Sequence, residues 1–93
     1  MREFTVDLSN ATSFEEFVAA FNDGFCRHVS GEWHGRSWDA FHDYLSWPAE
    51  ETYRLTFRGW ETSSSLDPAR REMLKKVLHD NPHVHSNVAL GVF

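Results

Sequence analysis

The sequence predicts a small α/β domain, built on a three-stranded parallel sheet with helical crossovers and spanning residues 1–93 as one unit. Two observations carry this expectation. Segments alternating every second residue are separated by segments with helical spacing, in the order strand, helix, helix, strand, helix, strand. The chain has 93 residues, of which 41% are apolar and 15% aromatic, enough for one core and too little for two.

Glu3-Phe4-Thr5-Val6-Asp7-Leu8 alternates polar and apolar residues, the mark of a strand with one buried face. Ser13 with Glu16 three residues later forms a capping box, opening a helix. Phe14, Phe17, Val18 and Phe21 then fall on one helical face, and Gly24 is its expected stop. Residues from Cys26 to Arg36, punctuated by Gly31 and Gly35, read as an irregular loop. Ser37 caps a second helix reaching about Ser46, with Trp38, Phe41 and Leu45 as its inner stripe and Tyr44 beside it; Pro48 ends it. Tyr53, Leu55 and Phe57 alternate with Arg54, Thr56 and Arg58, a second strand. Asp67-Pro68 starts a third helix with an N-cap residue and a proline at its first position. Met73, Leu74, Val77 and Leu78 form its apolar face, Arg70, Arg71, Lys75 and Lys76 its solvated one, and Asn81-Pro82 its end. The continuous apolar run Val88–Phe93 suits a third strand covered on both faces.

Composition bounds function. No stretch approaches the ~20 apolar residues of a membrane span, and the alternating N-terminus lacks the apolar segment of a signal peptide. A single cysteine, Cys26, excludes a disulfide framework and reads as a small buried hydrophobe; a reducing cytoplasm suits such a chain. Nine Lys and Arg against 14 Asp and Glu leave a formal charge of -5, which disfavours nucleic acid and favours a basic protein partner.

The acids gather where the aromatics do. Glu32, Asp39, Asp43, Glu50 and Glu51 share one short window with Trp33, Trp38, Phe41, Tyr44 and Trp47, against Arg36 alone. Asp39 and Asp43, four residues apart, share a helical face, where like charges repel by a few tenths of a kcal/mol. Asp39 lies near the favourable helix N-terminus; Asp43 has no such compensation. A face that costs stability is either a tolerated solvated surface or one kept for what it touches. His42 between them leaves acid–base chemistry open, although no nucleophile motif or glycine-rich phosphate loop accompanies it. His79, His83 and His85 are either a weak metal-ligand set or a polar approach to the last strand. Trp33, beside His34-Gly35, is either an exposed interface anchor or a lid on the core.

The stretch Glu32-Trp33-His34-Gly35-Arg36-Ser37-Trp38-Asp39-Ala40-Phe41-His42-Asp43-Tyr44-Leu45 resembles the barstar family, intracellular inhibitors of secreted bacterial ribonucleases. It is similar to that family's aromatic-Gly loop followed by a helix reading apolar-Asp-Ala-apolar-x-Asp-x-Leu. Leu55-Thr56-Phe57-Arg58-Gly59-Trp60-Glu61 is similar to the family's second strand and following loop, and the register runs without a gap from Glu32 to Asp80. The resemblance covers nearly the whole chain.

It implies a protein that is not an enzyme, needs no cofactor or metal, and binds one small basic extracellular ribonuclease in a one-to-one complex. It further implies that Trp33, His34, Gly35, Trp38, Asp39, His42, Asp43 and Asp80 form the partner-binding surface. The family's two key helix aspartates fall on Asp39 and Asp43, its loop tyrosine on Trp33 and its third-helix glutamate on Asp80. Asp43 is then the central phosphate mimic, Asp39 a second anchor, Trp33 a cover for the enzyme's base-binding region and Asp80 a peripheral steering charge. The chain departs from the pattern at His42, where the family has tryptophan, which adds a pH-sensitive contact. Pro48-Ala49 likewise replaces an aromatic-Val pair. A barstar-like module for another basic toxin or enzyme is the alternative.

Overall fold

The computed structural model describes residues 2–29, 31–48 and 52–88. Its elements are β1 (Arg2–Asp7), α1 (Phe14–Gly24), a short 3₁₀ helix (Cys26–Val29), α2 (Trp38–Tyr44), β2 (Tyr53–Arg58), α3 (Pro68–His79) and β3 (Val84–Ser86). The three strands form one parallel sheet in the order β1-β2-β3, with Phe4 opposite Leu55, Val6 opposite Phe57 and Tyr53 opposite Val84. Parallel pairing follows from the helical connections, because only a crossover returns the chain to the same end of the sheet.

Alternation sets the faces. Phe4 and Val6 of β1 and Tyr53, Leu55 and Phe57 of β2 are buried, while Glu3, Thr5, Asp7 and Arg58 are exposed. Against this sheet pack Phe17 and Phe21 of α1, Phe41 of α2, and Leu74, Val77 and Leu78 of α3, in one contiguous core. Phe17 stacks on Phe57 and Phe21 on Phe41, with centroids 6.2 and 4.4 Å apart. Each such ring contributes about 1.5–3 kcal/mol by leaving water.

The capping box at α1 forms with a longer reach than its spacing implies. Ser13 Oγ accepts from the Glu16 amide, and the Glu16 carboxylate extends past Ser13 to accept from the Thr12 amide and hydroxyl at 2.9 and 2.8 Å. Gly24 is the last residue of α1, but it is not a left-handed cap. A β-carbon there would meet the Thr5 carbonyl oxygen at 2.2 Å, so glycine is required for α1 to close on β1.

Three expectations are corrected. The segment after α1 is not wholly irregular, since Cys26–Val29 form a 3₁₀ helix. The third strand is Val84–Ser86 rather than Val88–Phe93; of that run only Val88, which is buried, lies within the described residues. Beyond Ser86 the Asn87 side chain takes over the pairing: its Oδ1 accepts from the Phe57 amide and its Nδ2 donates to the Phe57 carbonyl. The basic face of α3 is also not simply solvated. Arg71 lies 4.0 Å over the Trp60 ring and donates to the Trp60 and Ser63 carbonyls, and Arg70 lies 3.9 Å over Phe14.

Candidate functional site

α2 is only seven residues long, so intrinsic propensity does not hold it. Three contacts do. Ser37 Oγ accepts from the Asp39 and Ala40 amides at its start. Phe41 is fully buried in the middle. At its end the Leu45 carbonyl is anchored by the Tyr53 hydroxyl from β2 and lies 3.2 Å from His83 Nε2. The inward side being fixed, Asp39, His42 and Asp43 are left exposed. Neither aspartate takes part in an ion pair among the described residues.

The loop leading into α2 is fastened at several points. The Trp33 amide donates to Asn22 Oδ1 at 2.7 Å, and Asn22 Nδ2 returns a bond to the Trp33 carbonyl at 2.8 Å. Trp33 Nε1 donates to the Ser37 carbonyl at 2.9 Å, and the Tyr44 hydroxyl donates to the Glu32 carbonyl at 2.7 Å. Gly35 turns the chain at φ 75°, a conformation that disfavours any side chain, and passes so close to α1 that a β-carbon would meet Val18 Cγ2 at 2.8 Å. His34 and Arg36 project from this arch into solvent.

Trp33 itself does not face solvent. It is 2% exposed, its ring ringed by Phe14, Phe21 and Phe41 at 5.9, 5.8 and 5.0 Å. The role of covering a partner's base-binding region is therefore withdrawn from Trp33, which is a lid on the core. Trp38 is half-buried against Trp33 and Phe41, so it offers a partner only an edge. Among the described residues the exposed aromatic is Trp47, 48% accessible, its ring propped against Tyr44 at 4.6 Å. Its place four residues beyond Asp43 was the available signal for it.

Asp80 is exposed at the end of α3, three residues before the His83 that reaches the end of α2. The other histidines do not gather: His79 and His85 are exposed on α3 and β3, and among the described residues no three His, Cys, Asp or Glu side chains are placed to hold a metal. A groove of ≈ 440 Å³ is lined by β1 and α1 residues including Thr5, Asp7, Glu16 and Gly24, and neither α2 nor the loop before it borders it. Among the described residues no helix is long and apolar enough to cross a membrane.

A three-stranded parallel sheet with helical crossovers, presenting an acidic helix beside a fastened loop, defines a small acidic α/β protein. The chain belongs to the Barstar (barnase inhibitor) family, which it matches over residues 1–88. Membership implies a role of the barnase-inhibitor type. Comparison with curated proteins and with solved structures finds no match.

Proposed function

We propose that the chain is a one-to-one inhibitor of a small basic secreted ribonuclease, an immunity protein acting inside the producing cell. Its acidic helix and loop would occlude the enzyme's active site, with carboxylates standing where substrate phosphates lie. The observation that carries this reading is the pair Asp39 and Asp43, exposed on α2 with no ion pair among the described residues.

An unpaired carboxylate on a rigid element suits bidentate pairing with an arginine of a cationic cleft. Asp43 is the central mimic and Asp39 the second anchor; His34 and His42 border them, and Asp80 adds charge at the rim. With Trp33 buried, Trp47 is the exposed aromatic among the described residues that would cover part of the enzyme.

Titration of RNA cleavage by a panel of small secreted guanyl-specific ribonucleases, barnase included, tests the reading. One-to-one loss of activity with at least one member is expected. Asp43→Ala, with its fold retained by circular dichroism, should weaken inhibition by about 2–5 kcal/mol, the cost of removing one member of a charge pair buried at an interface. Inhibition unchanged in that variant sinks the mechanism. A panel left wholly active points instead to another basic protein as partner.

A further inference from the structure

A two-bond polar contact lies away from the carboxylates. Asn22, on α1 and half-buried beside the fully buried Phe21, satisfies both backbone groups of Trp33, eleven residues on. A backbone amide and carbonyl beside a buried indole have little access to water, and each needs a partner. The carboxamide supplies an acceptor and a donor together, as a neighbouring strand would. On the other flank the Tyr44 hydroxyl holds the Glu32 carbonyl, so adjacent residues of the loop are tied to α1 and to α2.

We infer that Asn22 is a positioning residue for the partner-binding loop: it orders residues 32–37 before the partner arrives. Without it the Trp33 backbone loses its tie to α1. His34, Gly35 and Arg36 would then be ordered only on binding, and that ordering would weaken the complex. The partner assigned here rests on the inhibitor reading; the clamp itself rests on geometry alone.

The test uses the full chain with Asn22→Leu, which removes both bonds, and Asn22→Asp, which keeps the acceptor for the Trp33 amide and loses the donor. Amide hydrogen exchange is read residue by residue. In Asn22→Leu exchange should rise at least tenfold at Trp33, whose amide the carboxamide holds, while Val6 in β1 and Leu55 in β2 keep their protection. In Asn22→Asp the Trp33 amide should exchange more slowly than in Asn22→Leu.

Against a ribonuclease of the panel that the wild-type chain inhibits, Asn22→Leu should dissociate roughly tenfold faster with an unchanged association rate, because long-range charge is untouched. A uniform rise in exchange across β1, β2 and the loop would reduce Asn22 to a contributor to global stability and overturn the proposal, as would an unchanged dissociation rate. If the wild-type chain inhibits no member of the panel, the inhibitor reading falls, and the exchange pattern alone decides the clamp.

Discussion

An indole buries more apolar surface than any other side chain, and Trp33 places its ring among Phe14, Phe21 and Phe41. Trp33→Ala should therefore cost about 3–5 kcal/mol, a large share of the 5–15 kcal/mol that holds a small domain together. Urea unfolding followed by far-ultraviolet circular dichroism would measure it. A loss under about 1 kcal/mol would mean that the ring is not part of the core. Cys26 is the complementary case, a buried group whose chemistry is suppressed. Burial pushes its thiol up to about 11, the amide contact from Trp33 opposing this only in part. At pH 8 about one thiol in a thousand is then ionised, and the thiolate is the reacting form. Native protein should react with a disulfide reagent far more slowly than protein in denaturant, and equal rates would contradict burial. The burial of Cys26 was expected from the sequence and is found; that of Trp33 was not legible locally. A tryptophan beside a glycine in a loop suits a hot spot as well as a lid, and the choice is made by the phenylalanines of α1, distant in sequence.

At the scale of elements the capped helix α1 carries a pH dependence. The Thr12 amide and hydroxyl hold the Glu16 carboxyl below its ordinary value of 4.5, with a smaller contribution from Ser13 and opposition from desolvation. Folding favours the charged form, so the stabilisation is fully present above about pH 4.5 and is lost as pH falls through the lowered folded value. Glu16→Gln keeps an acceptor but cannot titrate. Wild type should be the more stable of the two at pH 6, and the difference should shrink at pH 3, read as urea midpoints. A difference independent of pH would assign the effect to hydrogen bonding without charge. This cap was legible because Ser13 and Glu16 are three residues apart and the helical stripe follows at once. The first two strands and the first and third helices were legible for the same reason, each being a short-range pattern. The third strand was not. Val84–Ser86 is only three residues long, too short to show a period, and its continuation is an Asn87 side chain bonded to the Phe57 backbone. The Asn22 clamp was equally hidden, since it joins residues eleven apart that share no periodicity.

Across the whole molecule the net charge of -5 is unevenly compensated. The bases of α3 are largely engaged: Arg70 lies 3.7 Å from Asp67, Lys75 lies 3.4 Å from Glu72, and Arg71 is held over Trp60. Asp23 is paired with Arg27 at 2.6 Å and Glu3 with Arg54 at 3.2 Å. Such exposed pairs add only about 0.2–1 kcal/mol each to stability, but they cancel one another's field. Asp39 and Asp43 have no such partner among the described residues, so their negative charges stand uncancelled on α2. Long-range attraction of this kind accelerates encounter with a cationic cleft and is screened over about 10 Å at 0.1 M salt. Stopped-flow association with an inhibited ribonuclease should therefore slow steeply as sodium chloride rises from about 0.02 to about 0.5 M, while dissociation changes little. On the inhibitor reading, which puts Asp80 at the rim, Asp80→Asn should flatten that salt dependence and leave dissociation unchanged, because a rim charge acts before contact. Asp43→Ala should raise the dissociation rate, because its carboxylate acts after contact. An association rate indifferent to salt would mean that the exposed aspartates do not steer, and the acidic face would then act through close pairing alone.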